Sequence, residues 1–158
     1  MKINQEKLLK FLNNSFYNNH FLILNGERIE ADIAYQSIFK LAKSSIYIID
    51  DYIDIKTLEL LKVCNKNITI IIFSDNKAKN SISVAYINDF IKDTSINISF
   101  RKNNNRFHDR YIIIDFNQDT ERLYHSGASI KDAGNRITTI TEIKEKDVYR
   151  DLFKKIFK

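Results

Sequence analysis

The sequence predicts a single α/β domain over residues 1–158, in which a mixed β-sheet carries helices on both faces. Three observations lead there. Two continuous apolar runs of strand length, SIYIID over 45–50 and NITIIIF over 67–73, read as strands buried on both sides, as in a parallel sheet. Apolar residues recur at helical spacing before, between and after them, so helices connect the strands. With 158 residues, 44% of them apolar, the chain can bury one proper core, and no internal repeat or linker divides it.

The elements follow in order. Leu8, Leu12 and Phe16 give residues 5–16 one helical stripe, and the apolar run Phe21 to Leu24 closes on the turn Asn25-Gly26. Ala34, Ile38, Leu41 and Ala42 make a helix face over residues 30–43, followed by the strand at 45–50. Asp54 is an N-cap for a helix carrying Leu58, Leu61 and Cys64, and the strand at 67–73 comes next. Val84, Ile87 and Ile91 mark a helix over 81–92, and residues 96–100 return as a strand. The second half changes style. Residues 111–115 and 122–126, separated by the polar loop FNQDTE, form a hairpin. Residues 131–135 connect to a strand over 136–143, and the last helix sets Val148, Leu152 and Ile156 on one line with Tyr149, Phe153 and Phe157 beside it.

Composition narrows the function. No apolar run approaches the length of a membrane span, and MKINQEKLLKFLNNSF lacks the apolar centre of a signal peptide, so a cytoplasmic protein with no membrane partner is expected. The single cysteine, Cys64, excludes a disulfide framework and a cysteine zinc cluster, and reads as a small buried hydrophobe. His20, His108 and His125 show no metal-ligand spacing, so no metal and no cofactor is expected. A net charge of +5 suits a polyanionic partner. Residues 101–110 concentrate it, with four cations (Arg101, Lys102, Arg106, Arg110) against Asp109 alone. That loop reads either as a flexible solvated connection or as a phosphate-attracting approach to His108.

Residues 106–115, RFHDRYIIID, carry the chemistry. A strand alternates its side chains, so His108 and Arg110 share a face at the strand entrance, pairing a nucleophile or proton carrier with a fixed cation. Asp115 lies an odd number of residues beyond Arg110, points to the other face and reads as a structural polar anchor. His125 opposes Tyr111 if the hairpin register is tight, and a one-residue slip reverses its face. Asp50 and Asp51 end a strand where α/β sites form, and either cleft lining or turn capping fits them.

The pattern H-x-R-x4-D at His108, Arg110 and Asp115, with the turn Gly127-Ala128-Ser129, resembles the H-x-K-x4-D…G-S signature of the phospholipase D superfamily. AKSSIYIIDDYIDIKTLELLK followed by NITIIIFSDN is similar to that family's opening βαβ unit. The resemblance covers residues 28–158 and leaves the helix and strand of residues 1–27 outside it. It implies a phospholipase D-like fold and a phosphodiesterase, or phosphatidyl-type transferase, that works without metal. Members with a single motif, like this chain, build the site across a homodimer. By position His108 is the nucleophile that forms a phosphohistidine, while its counterpart protonates the leaving oxygen and then activates water. Arg110 stands where the family has lysine, and its planar fork can hold two phosphate oxygens.

Other positions depart from the family pattern. The turn lacks the asparagine of G-S-x-N, so Ser129 or Lys131 is expected to supply the substrate contact, with Arg106 from the basic loop. Gly127 and Asp115 are the structural residues of the motif. The family's histidine-orienting glutamate has no counterpart at Arg136-Ile137-Thr138, and Glu142 falls late. HDRYIIID…YHSGASIKDAG also resembles a phospholipase D-like module that accompanies phage-type DNA-binding domains in mobile-element proteins.

Two functions follow from the resemblance. One is a homodimeric phosphodiesterase acting on nucleic acid. The other is a catalytically weak or inactive module, of mobile-element or phage-related origin, that binds phosphate or nucleic acid and dimerises. A lipid-acting enzyme ranks below both, because no basic amphipathic helix favours a membrane.

Overall fold

Isoleucine runs that cannot stay in water set the centre of the structure, a computed structural model that describes residues 5–9, 11 and 19–158. In chain order the elements are β1 (His20–Ile23), α1 (Arg28–Phe39), β2 (Ser45–Ile49), α2 (Ile55–Leu61), β3 (Thr69–Phe73), α3 (Val84–Thr94), β4 (Asn97–Arg101), β5 (Arg110–Ile114), β6 (Arg122–Ser126), β7 (Thr138–Ile143) and α4 (Asp147–Ile156). Residues 5–9 are helical, and the expected positions Leu12 and Phe16 lie outside the described residues.

The strands make one seven-stranded sheet in the order β1-β7-β6-β5-β2-β3-β4. β2, β3 and β4 run parallel, each joined to the next by a helical crossover. β5, β6 and β7 form an antiparallel meander that joins the parallel half through β5 against β2. β1 closes the far edge, antiparallel to β7. The sheet is mixed and carries helices on both faces, as the sequence predicts.

Alternation divides the strand residues between two cores. Ile46, Ile48, Ile70, Ile72, Ile112 and Ile114 face α1, α2 and α3. Ile49, Ile71, Phe73, Ile113 and Leu123 face Phe153 of α4 and a layer of aromatic rings. Asp54 caps α2 by accepting from the Lys56 N–H at 2.9 Å, and Ser83 caps α3.

Two helices show which of their neighbouring apolar rows turns inward, and on the first of them Ile87 packs on the core as its stripe predicts. On α3 the buried residue is Phe90, while Val84 is 72% exposed. On α4 the line Tyr149, Phe153 and Phe157 packs on the sheet, while Val148 is 79% and Leu152 46% exposed. Aromatic rings decide both cases, since they bury more apolar area than the aliphatic residues one position away.

Candidate functional site

The C-terminal ends of β2 and β6 and the N-terminal ends of β5 and β7 meet at one end of the sheet. Register fixes the neighbours there. Ile49 pairs with Tyr111 and Arg110 pairs with Ser126, so Asp50 lies just beyond β2 beside Arg110, and Gly127 just beyond β6. Arg110 and Ser126 share the sheet face that α1 covers. Tyr111 and His125 form the adjacent pair and face α4, with ring centroids 5.5 Å apart.

His108 is exposed and sits in a bend before β5, which begins only at Arg110. The bend, and not the strand pleat, therefore sets its direction. No hydrogen bond joins its imidazole to another described residue. Its backbone is held from one side by Phe107, whose ring lies 5.9 Å from Tyr111 and 5.8 Å from Phe153. The basic loop holds it from the other. Asp75 accepts from the N–H groups of Asn104 and Asn105 at 2.8 Å each, and Asp51 accepts from the Asn103 side chain at 3.0 Å. Asn104 and Asn105 take left-handed φ values of +56° and +54°, a conformation asparagine tolerates. The loop is thus tied at several points, unlike the flexible connection that its composition allowed. Arg106 is exposed beside it.

Asp50 is the buried charge of this region, 2% exposed. Its carboxylate accepts from the Tyr52 N–H at 2.9 Å, the Ser129 hydroxyl at 2.8 Å and the Ile130 N–H at 3.1 Å. Arg110 Nε lies 3.9 Å from Asp50 Oδ1. Burial pushes the Asp50 pKa up, against the pull of those donors and of Arg110. Ser129, expected to touch substrate, is buried with its hydroxyl committed to Asp50 and the Tyr52 carbonyl. A second prop lies next to it. Tyr35 of α1 is 2.8 Å from the Ser126 hydroxyl, which donates to the Ala128 carbonyl at 2.8 Å.

Lys131 points its amine at Asp132, 2.8 Å from the carboxylate. Gly127 is exposed, and a Cβ there would stand 2.8 Å from the Thr138 hydroxyl, so any other residue would require the Thr138 side chain to turn away. Beyond Gly127 opens a cleft of about 450 Å³ lined by Ala128, Asp132, Asn135, Arg136 and Ile137. It is large enough for one nucleotide-sized group and carries the exposed cation Arg136 on its wall. Asp115 lies at the other end of β5, where it ties the start of β2 to the β5–β6 loop. Glu142 also lies away from His108 and is spent on Arg122, 2.5 Å away. Among the described residues no group of three or more His, Cys, Asp or Glu is placed to hold a metal ion, and no helix is long and apolar enough to cross a membrane.

Sequence reasoning left Asp50 undecided and did not single out Tyr35 or Ser126 for the site. The available signal was an aspartate ending an otherwise apolar buried strand, since a carboxylate there needs partners to stay.

This sheet order and its helices are similar to those of solved phospholipase D-family structures. NucT from Helicobacter pylori superposes with a TM-score of 0.58 over 87% of this chain and 94% of NucT, at 16% identity. Nuc from Salmonella typhimurium, a phospholipase D family member, gives 0.50 over 86% of this chain and 90% of Nuc, at 17% identity. TrmBL2, an archaeal chromatin protein that binds DNA, gives 0.54 over 97% of this chain and 57% of TrmBL2, at 16% identity. Neither a family model nor a curated protein matches the sequence.

Proposed function

We propose that this protein is a metal-independent phosphodiesterase acting on nucleic acid, with its active site shared across a homodimer. The observation that carries the reading is His108, an exposed imidazole with no partner among the described residues, two positions from a guanidinium at the end of the sheet. His108 attacks phosphorus, forming an N–P bond as the bond to the leaving oxygen breaks. The partner's His108 gives that oxygen its proton and then takes one from the water that cleaves the phosphohistidine. Arg110 offers N–H donors to the non-bridging oxygens, where charge gathers in the transition state. Arg106 and Arg136 supply the field that draws in a polyanion, and Lys131 is paired with Asp132 of the cleft wall.

The test is cleavage of single- and double-stranded DNA and RNA in chelator. The wild-type chain is expected to cut, and His108→Ala to lose on the order of 10³-fold or more in rate with an unchanged melting temperature. Cleavage that His108→Ala leaves intact would sink the reading.

A second reading has its own observation. With Glu142 bound to Arg122, and arginine in the lysine position, the chain can serve as a catalytically weak phosphate- or nucleic-acid-binding and dimerisation module of a mobile-element or phage-related protein. The likeness to TrmBL2, a DNA-binding protein, supports it. Tight binding without cleavage by any preparation would favour it over the first.

A further inference from the structure

We propose that Asp50 is a positioning residue that holds the inner edge of Arg110, so that the outer edge of the guanidinium is kept for a phosphodiester oxygen. This rests on the phosphodiester reading of the site.

The geometry has three parts. First, the Asp50 carboxylate cannot swing. One oxygen takes the Tyr52 N–H and the other takes the Ser129 hydroxyl and the Ile130 N–H, so segments on both sides of Arg110 clamp it. Second, Arg110 Nε is sealed from solvent without a hydrogen bond of its own, although the side chain as a whole is 29% exposed. The edge that faces Asp50 at 3.9 Å is therefore the dry one, and the exposed surface belongs to other atoms. Third, Asp50 is shut away almost completely, and a carboxylate so placed needs a cation close by.

Arginine suits this double duty and lysine does not. A guanidinium has donors on two edges of a rigid plane, so one edge can stay with a carboxylate while the other meets a phosphate. An ammonium is a point charge on a flexible stem, which Asp50 would draw back from substrate. The replacement of the family lysine by Arg110 and the turn of the Ser129 hydroxyl toward the interior thus belong to one arrangement. Ser129 holds Asp50, and Asp50 holds Arg110.

A double-mutant cycle tests the idea in the full-length chain carrying His108→Ala, which prevents cleavage during titration. Binding of a fluorescein-labelled single-stranded oligodeoxynucleotide is read by anisotropy, with melting curves to verify folding. Arg110→Lys is expected to weaken binding by about tenfold while Asp50 is present, and by about threefold or less after Asp50→Ala. If Asp50→Ala does not fold, Ser129→Ala takes its place, and the Arg110→Lys penalty is again expected to shrink.

Effects that multiply independently would overturn the proposal and leave the phosphodiester reading standing. Absence of binding by the parent chain to this probe and to labelled double-stranded DNA and RNA would overturn both. A carboxyl NMR titration reads the pair without any ligand. Arg110→Met is expected to move the Asp50 midpoint upward, and an unmoved midpoint would overturn the pairing.

Discussion

A carboxylate shut away from water survives where donors replace its lost hydration, and Asp115 has five of them. They are the N–H groups of Lys43, Ser44 and Ser45 and the hydroxyls of Ser44 and Thr120. Its φ of +52° breaks the alternation of β5 and turns the side chain to these partners. Burial pushes its pKa up, but the Thr120 hydroxyl and the three N–H groups outweigh this and hold it below the ordinary 3.8. A depressed folded pKa means that the stabilisation is complete above the unfolded value near about 3.9 and is lost as pH falls through the lower folded value. Asp115→Ala should therefore cost about 3–5 kcal/mol in urea unfolding at neutral pH. Asp115→Asn, which keeps one acceptor and tolerates the backbone, should cost about 1–3 kcal/mol and flatten the acid limb of the stability profile. The spacing of His108, Arg110 and Asp115 was legible because strand and loop chemistry is local. The place of Asp50 was not, because its partners Ser129 and Ile130 lie 79 and 80 residues away.

Periodicity locates an amphipathic helix more readily than it says which of two neighbouring apolar rows turns inward. On α4 both rows are apolar, and the choice falls to rings on other elements. Phe153 lies 5.8 Å from Phe107, 6.1 Å from Tyr111 and 6.4 Å from Phe116. Phe153→Ala should cost about 3–5 kcal/mol, whereas Leu152→Ala, on the exposed row, should stay within about 0.5 kcal/mol. Urea unfolding followed by circular dichroism measures both, and equal costs would contradict the observed packing. The loop before β5 gives the other element-level prediction. Asp75 holds it through two backbone N–H groups, with Lys77 bridging Asp51 and Asn105. Asp75→Ala should speed tryptic cleavage after Lys102 and Arg106 several-fold while barely moving the melting temperature, since local opening there exposes little core. The sequence showed the loop's charge, but the acids that fasten it come from the β2 and β3 ends and are visible only once the sheet is assembled.

The parallel half of the sheet was legible as strand, helix, strand, and the hairpin as two short runs around a polar loop. The pairing of β1 with β7 joins residues more than a hundred positions apart, and no local pattern carries it. That assembled sheet also bears on how many chains a site needs. A mechanism with two imidazoles must find the second one. His125 faces α4, across the sheet from Arg110, with Nε2 3.6 Å from Asp109. His20 sits on the edge strand β1, separated from β5 by β7 and β6, beside Thr141. His20 is too far along the sheet and His125 is engaged with Asp109 on the α4 side, so the proposed chemistry takes the second imidazole from a second protomer. Sedimentation should then give twice the 18.6 kDa chain mass. Mixing makes the sharper test. Equal amounts of wild-type and His108→Ala chains, allowed to exchange, assort at random into symmetric pairs, and only those with two intact histidines turn over. Nuclease activity should fall to about one quarter of that of the same total amount of wild-type chain. A fall to about one half would mean that each His108 acts without its twin, and the shared site would have to be given up.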